Sequence, residues 1–256
     1  MSVVHSQHVE SHTGAIGSIS EASFSFFCPP TAGASGCLVF VVNLVTATSK
    51  ATAVDWGGVA LVENTSARAD DTATEPGRVQ TFFNGSFAAL AARANDNITV
   101  TRTNDTDELW AHAVIVGTSP VTNDDTDIYV PGIVLLQNDG TLAEQSVTDG
   151  GTGIGNSIRY ACAFSGLAAF PPTGANSTAL NNFDTGNQTA ACVRETTPGT
   201  GARSVGFTSA TSDDRAVVHL AIIEVTPPST PVDPTGFARE AEIYNPALAR
   251  AIQRIR

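Results

Sequence analysis

The sequence predicts an all-β protein built as an antiparallel β-sandwich, and three observations support this fold class. Short apolar or alternating runs recur along the chain, separated by clusters of Gly, Pro, Asn, Asp and Thr that are typical of turns. Charged residues make up only 15% of the chain, against roughly 25% in an average globular protein, which favours a surface of Thr, Ser, Asn and Gly. Helical periodicity before residue 236 is limited to residues 87–94, which predict a short helix.

The predicted strands follow one another through the body of the chain. Residues 38–45 and 216–225 are almost entirely apolar, as expected for central strands of a sandwich core. Residues 98–103 alternate between β-branched and polar side chains, as expected for a half-exposed strand. Strands are predicted at residues 22–28, 37–45, 51–62, 78–84, 97–103, 108–117, 129–136, 156–166, 188–195, 204–209 and 216–226.

Two pairs of these runs resemble each other. Residues 107–116 match residues 214–223 in pattern, and the match aligns His112 with His219. Residues 37–43 likewise match residues 158–164. This internal similarity is compatible with two halves of one sandwich, with two stacked small ones, or with strands that merely share a role. A single histidine in an apolar strand is expected to be a core or sheet-face residue rather than a catalytic one.

The chain divides into four predicted parts. A polar N-terminal arm, residues 1–21, precedes a β-sandwich body at residues 22–226. Residues 227–235 form a linker whose four prolines favour an extended spacer. Residues 236–256 form a short C-terminal segment with a net charge of +2, whereas the whole chain carries −12. We expect this oppositely charged segment to dock onto a partner.

The C-terminal segment has the pattern of an amphipathic helix. Asn245 and Pro246 suit the N-cap and first helical positions. An apolar stripe then recurs at helical spacing, accompanied by basic side chains. The predicted docking residues are Leu248, Ile252 and Ile255 on the stripe, with Arg250 and Arg254 beside it. The alternative is a helix folded back on its own body.

Composition excludes several classes of function. An isoelectric point near 4.6 and a net charge of −12 argue against nucleic-acid binding, which calls for a clustered basic surface. No run approaches the roughly 18 apolar residues of a transmembrane helix, so no membrane insertion is predicted. The N-terminus has neither a basic region nor an apolar stretch of signal-peptide type. We therefore expect a protein that is made in a cytoplasm and stays there unless another route carries it out.

Four cysteines lack the spacing of a metal site and lie in or beside apolar runs, which predicts buried thiols. They are Cys28, Cys37, Cys162 and Cys192. A disulfide joining Cys28 to Cys37, or Cys162 to Cys192, stays open at this point, because sequence alone does not define pairing.

Other candidate chemistry is weaker. His5, His8 and His12 lie close together and could contribute to a metal site, but their spacing fits no closed set of ligands. The acidic loop at residues 123–129 lacks the glycine of a calcium loop. A glycosidase pair could be imagined from Asp107 or Glu108 with Asp124 or Glu144, although nothing defines their separation. We therefore predict a non-enzymatic protein with no metal and no cofactor.

The most specific segment is residues 51–62, which contains the corner Trp56-Gly57-Gly58. It resembles a segment of tailed-phage and prophage structural proteins, which pair such a corner with a later polar strand and a closing apolar strand followed by proline. The resemblance covers residues 22–228, and the chain departs from the pattern in Trp110 and in its C-terminal segment. It implies a jelly-roll-like virion component, such as a minor tail or surface protein.

The expected function is therefore that of a structural component of a tailed virus particle, in the tail or tail tip. Expected partners are other virion proteins, further copies of this chain and a receptor on the host surface. Host contact is expected at the long polar loops, residues 64–75, 119–127 and 170–186. The alternatives are a capsid-surface decoration protein and a carbohydrate-binding module. The second would need exposed aromatic side chains along one sheet face, and the chain has only two tryptophans.

Overall fold

The apolar and alternating runs of the sequence form antiparallel strands, as predicted. The computed structural model describes residues 2–12, 22–29, 34–48, 50–72, 74–103, 107–119, 128–129, 134–149, 157–166 and 171–224. These residues form two large antiparallel sheets whose facing sides share a buried apolar core, which confirms the predicted all-β sandwich. The predicted linker at residues 227–235 and the segment at residues 236–256 lie outside the described residues and stay predictions.

The described secondary structure follows the predicted order with a few additions. The elements are β1 (Ser2–His12), β2 (Ser23–Phe27), β3 (Ala34–Asn43), β4 (Ala51–Trp56), β5 (Val59–Glu63), β6 (Ala69–Asp71), β7 (Gly77–Asn84), α1 (Phe87–Ala91), β8 (Asn97–Arg102), β9 (Leu109–Ser119), β10 (Ile128–Tyr129), β11 (Val134–Leu142), β12 (Gln145–Val147), β13 (Ile158–Ser165), β14 (Ser177–Asp184), β15 (Thr189–Glu195), β16 (Arg203–Val205) and β17 (Ser209–Glu224).

The first large sheet has the strand order β1-β9-β3-β7-β5-β4-β8-β2, with β6 also paired to β7. Its two parts are linked through β5, in which residues 59–61 pair with β4 and residues 62–63 pair with β7. The second sheet has the order β10-β17-β13-β15-β14, with β11 also paired to β17. A small third sheet consists of β12 and β16. We call β1 to β9 with α1 the N-terminal half, and β10 to β17 the C-terminal half.

The two halves have the same pairing scheme. The order β1-β9-β3-β7-β5 in the N-terminal half corresponds to β11-β17-β13-β15-β14 in the C-terminal half. The pair formed by β2 and β8 corresponds to the pair formed by β12 and β16. The matching sequence runs lie on corresponding strands, since Phe40 of β3 pairs with His112 of β9 and Ala161 of β13 pairs with His219 of β17.

The aligned histidines nevertheless point to different environments. His112 lies on the same face of β9 as Trp110, toward the core between the two large sheets. His219 lies on the same face of β17 as Val217, toward the core of the C-terminal half. Because side chains alternate along a strand, a shift of one residue moves a whole face to the other side. The sequence match therefore aligns the strands correctly but not the faces that they bury.

Three apolar cores hold these layers together. The central core lies between the two large sheets and combines the outward side chains of β3 and β9 with those of β13 and β17. A second core fills the curled sheet of the N-terminal half, and a third lies beneath β12 and β16. The largest fully buried side chains are Trp56, Trp110, Arg159, Tyr160, Phe40, Phe164 and Phe207. Arg159 stands out as the one charged member of that set.

The predicted corner at residues 56–58 is a tight hairpin. Trp56 pairs with Val59, and Gly57 and Gly58 between them have φ angles of +58° and +87°. Positive φ at both central residues suits a two-residue hairpin turn and favours glycine. A Cβ atom at Gly57 would also lie 2.1 Å from the Asn95 carbonyl oxygen, so this position has no room for a side chain.

The prediction of an N-terminal arm separate from the body is corrected by the structure. Ser2–His12 form β1, which pairs antiparallel with β9 along its length. The segment is polar, and its sequence pattern does not indicate a buried face. It becomes a strand because β9 offers the backbone donors and acceptors of an otherwise open edge.

Two of the predicted polar loops also contain strands. Ser177–Asp184 form β14 within the predicted loop at residues 170–186, and Ala69–Asp71 form β6 within that at residues 64–75. Most of the third predicted loop, residues 120–127, lies outside the described residues. The predicted helix is confirmed as α1, whose N-cap Ser86 accepts a hydrogen bond from the Ala89 amide.

Candidate functional site

The residues predicted to dock a partner, Leu248, Arg250, Ile252, Arg254 and Ile255, lie outside the described residues. Docking by this segment stays a prediction. Polar side chains of the described body include a histidine cluster on β1 and β9 and the lining of a polar cavity in the C-terminal half.

The four cysteines are buried free thiols, as the main interpretation of the sequence predicted. Burial raises the pKa of Cys28 to about 12 and the pKa values of Cys37 and Cys192 well above the usual value. Cys162 and Cys192 lie directly opposite each other on β13 and β15. A protonated, buried thiol is a poor nucleophile, so these groups act as core residues.

Three histidines meet where β1 crosses the central core. His5 Nδ1 lies 3.0 Å from the Tyr160 hydroxyl, and His5 Nε2 lies 3.1 Å from His8 Nδ1. The His8 ring stacks on His112 with centroids 5.7 Å apart. Both ring nitrogens of the fully buried His112 lack a hydrogen-bond partner among the described residues. The cluster therefore connects β1 and β9 of the first large sheet to Tyr160 on β13 of the second.

Burial keeps these imidazoles neutral. It lowers the pKa of His5 to about 4, with smaller contributions from His8 and Arg194. Burial also lowers the pKa of His8, and that of His112 well below its usual value. Among the described residues no group of three or more His, Cys, Asp or Glu side chains is arranged to hold a metal ion. The cluster is accordingly a neutral packing contact at neutral pH.

The stability of the body should fall as the pH drops from about 6.5 to about 4. In this window the unfolded chain binds protons on these histidines and the folded chain does not, so acid favours unfolding. We expect His5 to account for about 1–2 kcal/mol of this loss in the free energy of unfolding, after allowance for solvent screening at its half-buried position. Urea unfolding at several pH values would measure the slope.

The variant His5→Gln isolates this contribution from that of titrating carboxylates. Its stability should depend less steeply on pH than that of the wild type between about pH 4 and 6.5. An equal slope in both proteins would show that His5 does not titrate with folding.

The C-terminal half contains a buried arginine that ties several loops together. Arg159 Nε donates to the Val147 carbonyl at 2.8 Å, and its Nη1 donates to Glu195 Oε1 at 3.0 Å and to the Gly199 carbonyl at 2.8 Å. Its Nη2 lies 3.8 Å from Asp149 Oδ2. A guanidinium group with several fixed donors suits this role, because each donor reaches a different segment.

The polar cavity lies beside this arginine, on the other side of Glu195. It has a volume of about 310 Å³ and is lined by Ala175, Asn176, Glu195, Thr196, Thr197, Ala202, Arg203 and Ser204. Arg203 Nε lies 3.3 Å from Glu195 Oε2, and the arginine side chain is 39% exposed. Burial raises the pKa of Glu195, and the adjacent Arg159 and Arg203 offset this only in part.

Sequence reasoning missed this cavity. One available signal was Arg159, because it is a charged residue within the otherwise apolar run at residues 158–164. A charge in such a run predicts a buried partner of opposite charge. Nothing in the sequence connects that run with the turn before β14 or with β16. The cavity arises where three separate segments meet.

The carboxylates considered for a glycosidase pair have local structural contacts. Asp107 Oδ2 accepts hydrogen bonds from Asn43 and Thr46, in the N-terminal half. Glu144 accepts hydrogen bonds from Asn176 and Ser177, in the C-terminal half. Burial raises the pKa of Glu108, whose Oε2 has no hydrogen-bond partner among the described residues. Asp124 lies outside the described residues.

Comparisons with models of protein families, with curated proteins and with solved structures found no match to this chain. Within the described residues, no helix has the length and apolar character needed to cross a membrane.

Proposed function

We propose that this protein is a non-enzymatic structural component of a tailed virus particle, located in the tail or tail tip. It would be made in the host cytoplasm and assemble with other virion proteins and with further copies of itself. The resemblance of the corner at residues 56–58 and of the later strands to tailed-phage structural proteins motivates this proposal.

The observation that carries the proposal is the way the body uses its polar side chains. The thiols are buried, Asp107 and Glu144 hold neighbouring segments, and Arg159 ties the ends of β12 and β15 and the loop at Gly199 to its own strand. Each of these contacts stabilises one half, and the shared central core joins the two halves into one block. Such a block suits repeated assembly into a larger particle.

The outer surface supports assembly as well. In the described part of the chain, β2 stands at one end of the first large sheet and β14 at one end of the second. Edge strands offer backbone groups with which another chain can pair. Phe27, at the end of β2, is 64% exposed although it is a large apolar residue. An exposed aromatic side chain on an edge strand is a natural contact point between subunits.

Antibody labelling of virus particles from the source would test the proposal by electron microscopy. The label is expected on the tail or its tip. A label on the capsid shell would favour a decoration protein, and particles without label would contradict a role in the virion.

The C-terminal segment should be required for incorporation into particles. Its predicted apolar stripe is too short to be a stable helix alone in water, so it needs a groove on a partner. We expect the double variant Leu248→Asp with Ile252→Asp to abolish incorporation while the body keeps its unfolding temperature. Mass spectrometry of purified particles would measure the amount incorporated.

A matched control places the same charges beside the predicted stripe. Ala249→Asp with Gln253→Asp should leave incorporation nearly unchanged. If the stripe variant assembles normally but the body loses stability, the segment packs on its own body and the docking prediction is wrong.

A further inference from the structure

We propose that the polar cavity of the C-terminal half binds a neutral, hydroxyl-rich ligand, namely a sugar residue of a glycan. The cavity volume of about 310 Å³ falls at the lower end of the range of roughly 300–1,000 Å³ for ligand pockets. Its lining comes from three segments, the turn before β14, the end of β15 and the start of β16. Among the described residues, the lining side chains are mostly polar and include no aromatic ring.

A buried carboxylate oxygen in the cavity lacks a hydrogen bond. Glu195 is 1% exposed, and its Oε1 accepts hydrogen bonds from the Arg159 backbone amide and Nη1 at 2.9 and 3.0 Å. Its Oε2, on the Arg203 side, accepts none among the described residues. The Arg203 guanidinium lies 3.3 Å from this oxygen without forming a hydrogen bond to it, and a ligand hydroxyl that reaches Oε2 could donate to it.

The charges of the lining favour a neutral ligand. Glu195 and Arg203 lie 3.3 Å apart and carry opposite charges. An anion attracted by Arg203 would meet the Glu195 carboxylate, and a cation attracted by Glu195 would meet the guanidinium group. A hydroxyl group can donate to the carboxylate and accept from the guanidinium at once.

The remaining lining side chains suit the same ligand. Thr196, Thr197 and Ser204 carry hydroxyl groups, which can each donate and accept a hydrogen bond. Without an aromatic ring for stacking, a monosaccharide should bind weakly, with a dissociation constant in the millimolar range.

This inference deepens the proposed function, because a glycan site would supply the contact with the host surface. For that biological role it rests on the proposed function. Direct binding of a sugar is independent of the proposed function, because it is a property of the cavity whatever particle carries the protein.

Backbone amide spectra of the full ¹⁵N-labelled chain would test the proposal. The probes are glucose, galactose, mannose and N-acetylglucosamine, each at about 50 mM, well above a millimolar dissociation constant. At least one of them should shift the amides of Thr196, Thr197 and Ser204. Sodium phosphate and methylammonium chloride, used as charged probes, should not.

Two variants locate the binding. Arg203→Ala should weaken sugar binding at least ~10-fold, the usual effect of losing a hydrogen bond to a charged group. Arg68→Ala should leave it unchanged, because Arg68 is similarly exposed and lies 3.8 Å from Glu63 in the N-terminal half. If Arg203→Ala does not fold, Thr197→Val gives the same comparison with a smaller loss.

Three results would overturn the proposal. The first is the absence of shifts with all four sugars, and the second is a shift with phosphate alone, which would indicate an anion site. The third is unchanged sugar affinity in the cavity variants. None of these results bears on particle labelling, so failure of the glycan site and failure of the virion role can be told apart.

Discussion

Replacing Trp56 with alanine is expected to lower the free energy of unfolding by about 3–5 kcal/mol, the usual cost of deleting a large buried aromatic side chain. Trp56 is fully buried in the core of the N-terminal half. Its Nε1 donates a hydrogen bond to the Cys28 carbonyl at 3.1 Å, and the Arg93 guanidinium lies over the ring at 4.5 Å. The substitution removes packing, this hydrogen bond and the cation–π contact together. Urea unfolding followed by circular dichroism would measure the loss.

The control for Trp56 is the exposed aromatic residue Phe27. Phe27→Ala should change the free energy of unfolding by less than about 0.5 kcal/mol, as for most surface substitutions. Trp56→Phe should fall between the two, since it keeps most of the apolar volume but loses the hydrogen bond to Cys28. A loss below about 1 kcal/mol in Trp56→Ala would contradict the buried position of the ring.

Replacing Arg159 with alanine is expected to destabilise the body by about 3–5 kcal/mol, because it leaves the buried carboxylate of Glu195 with only the partly exposed Arg203 as an ion-pair partner. Arg159 and Glu195 have almost no exposed side-chain surface, and their nitrogen and oxygen atoms lie 3.0 Å apart. The substitution also removes the donors to the carbonyls of Val147 and Gly199. The same unfolding experiment would measure the effect.

Two controls separate the buried charge from the loss of contacts. Arg68→Ala removes a half-exposed arginine 3.8 Å from Glu63 and should cost about 0–1 kcal/mol. Arg159→Met with Glu195→Leu removes both charges and should be less destabilising than Arg159→Ala alone. A double variant as unstable as the single one would show that loop anchoring outweighs the buried charge.

The histidine cluster could be predicted from the sequence in part, whereas the cavity could not. His5 and His8 are close in sequence, but their contacts with Tyr160 and His112 depend on the pairing of β1 with β9. The cavity was not foreseen, because Glu195 and Arg203 belong to different strands and are joined only in the folded chain. Contacts between segments far apart in sequence leave no local pattern to read.

The sequence by itself determined the fold class, most strands, the short helix and the corner that begins at Trp56. These features depend on local side-chain periodicity and on turn residues such as Gly57 and Gly58. Tertiary structure alone decided that β1 and β14 are strands, since a polar segment pairs only where a neighbouring edge offers partners. It also decided which face of β9 and of β17 carries its histidine, because one residue of register reverses every side chain along a strand.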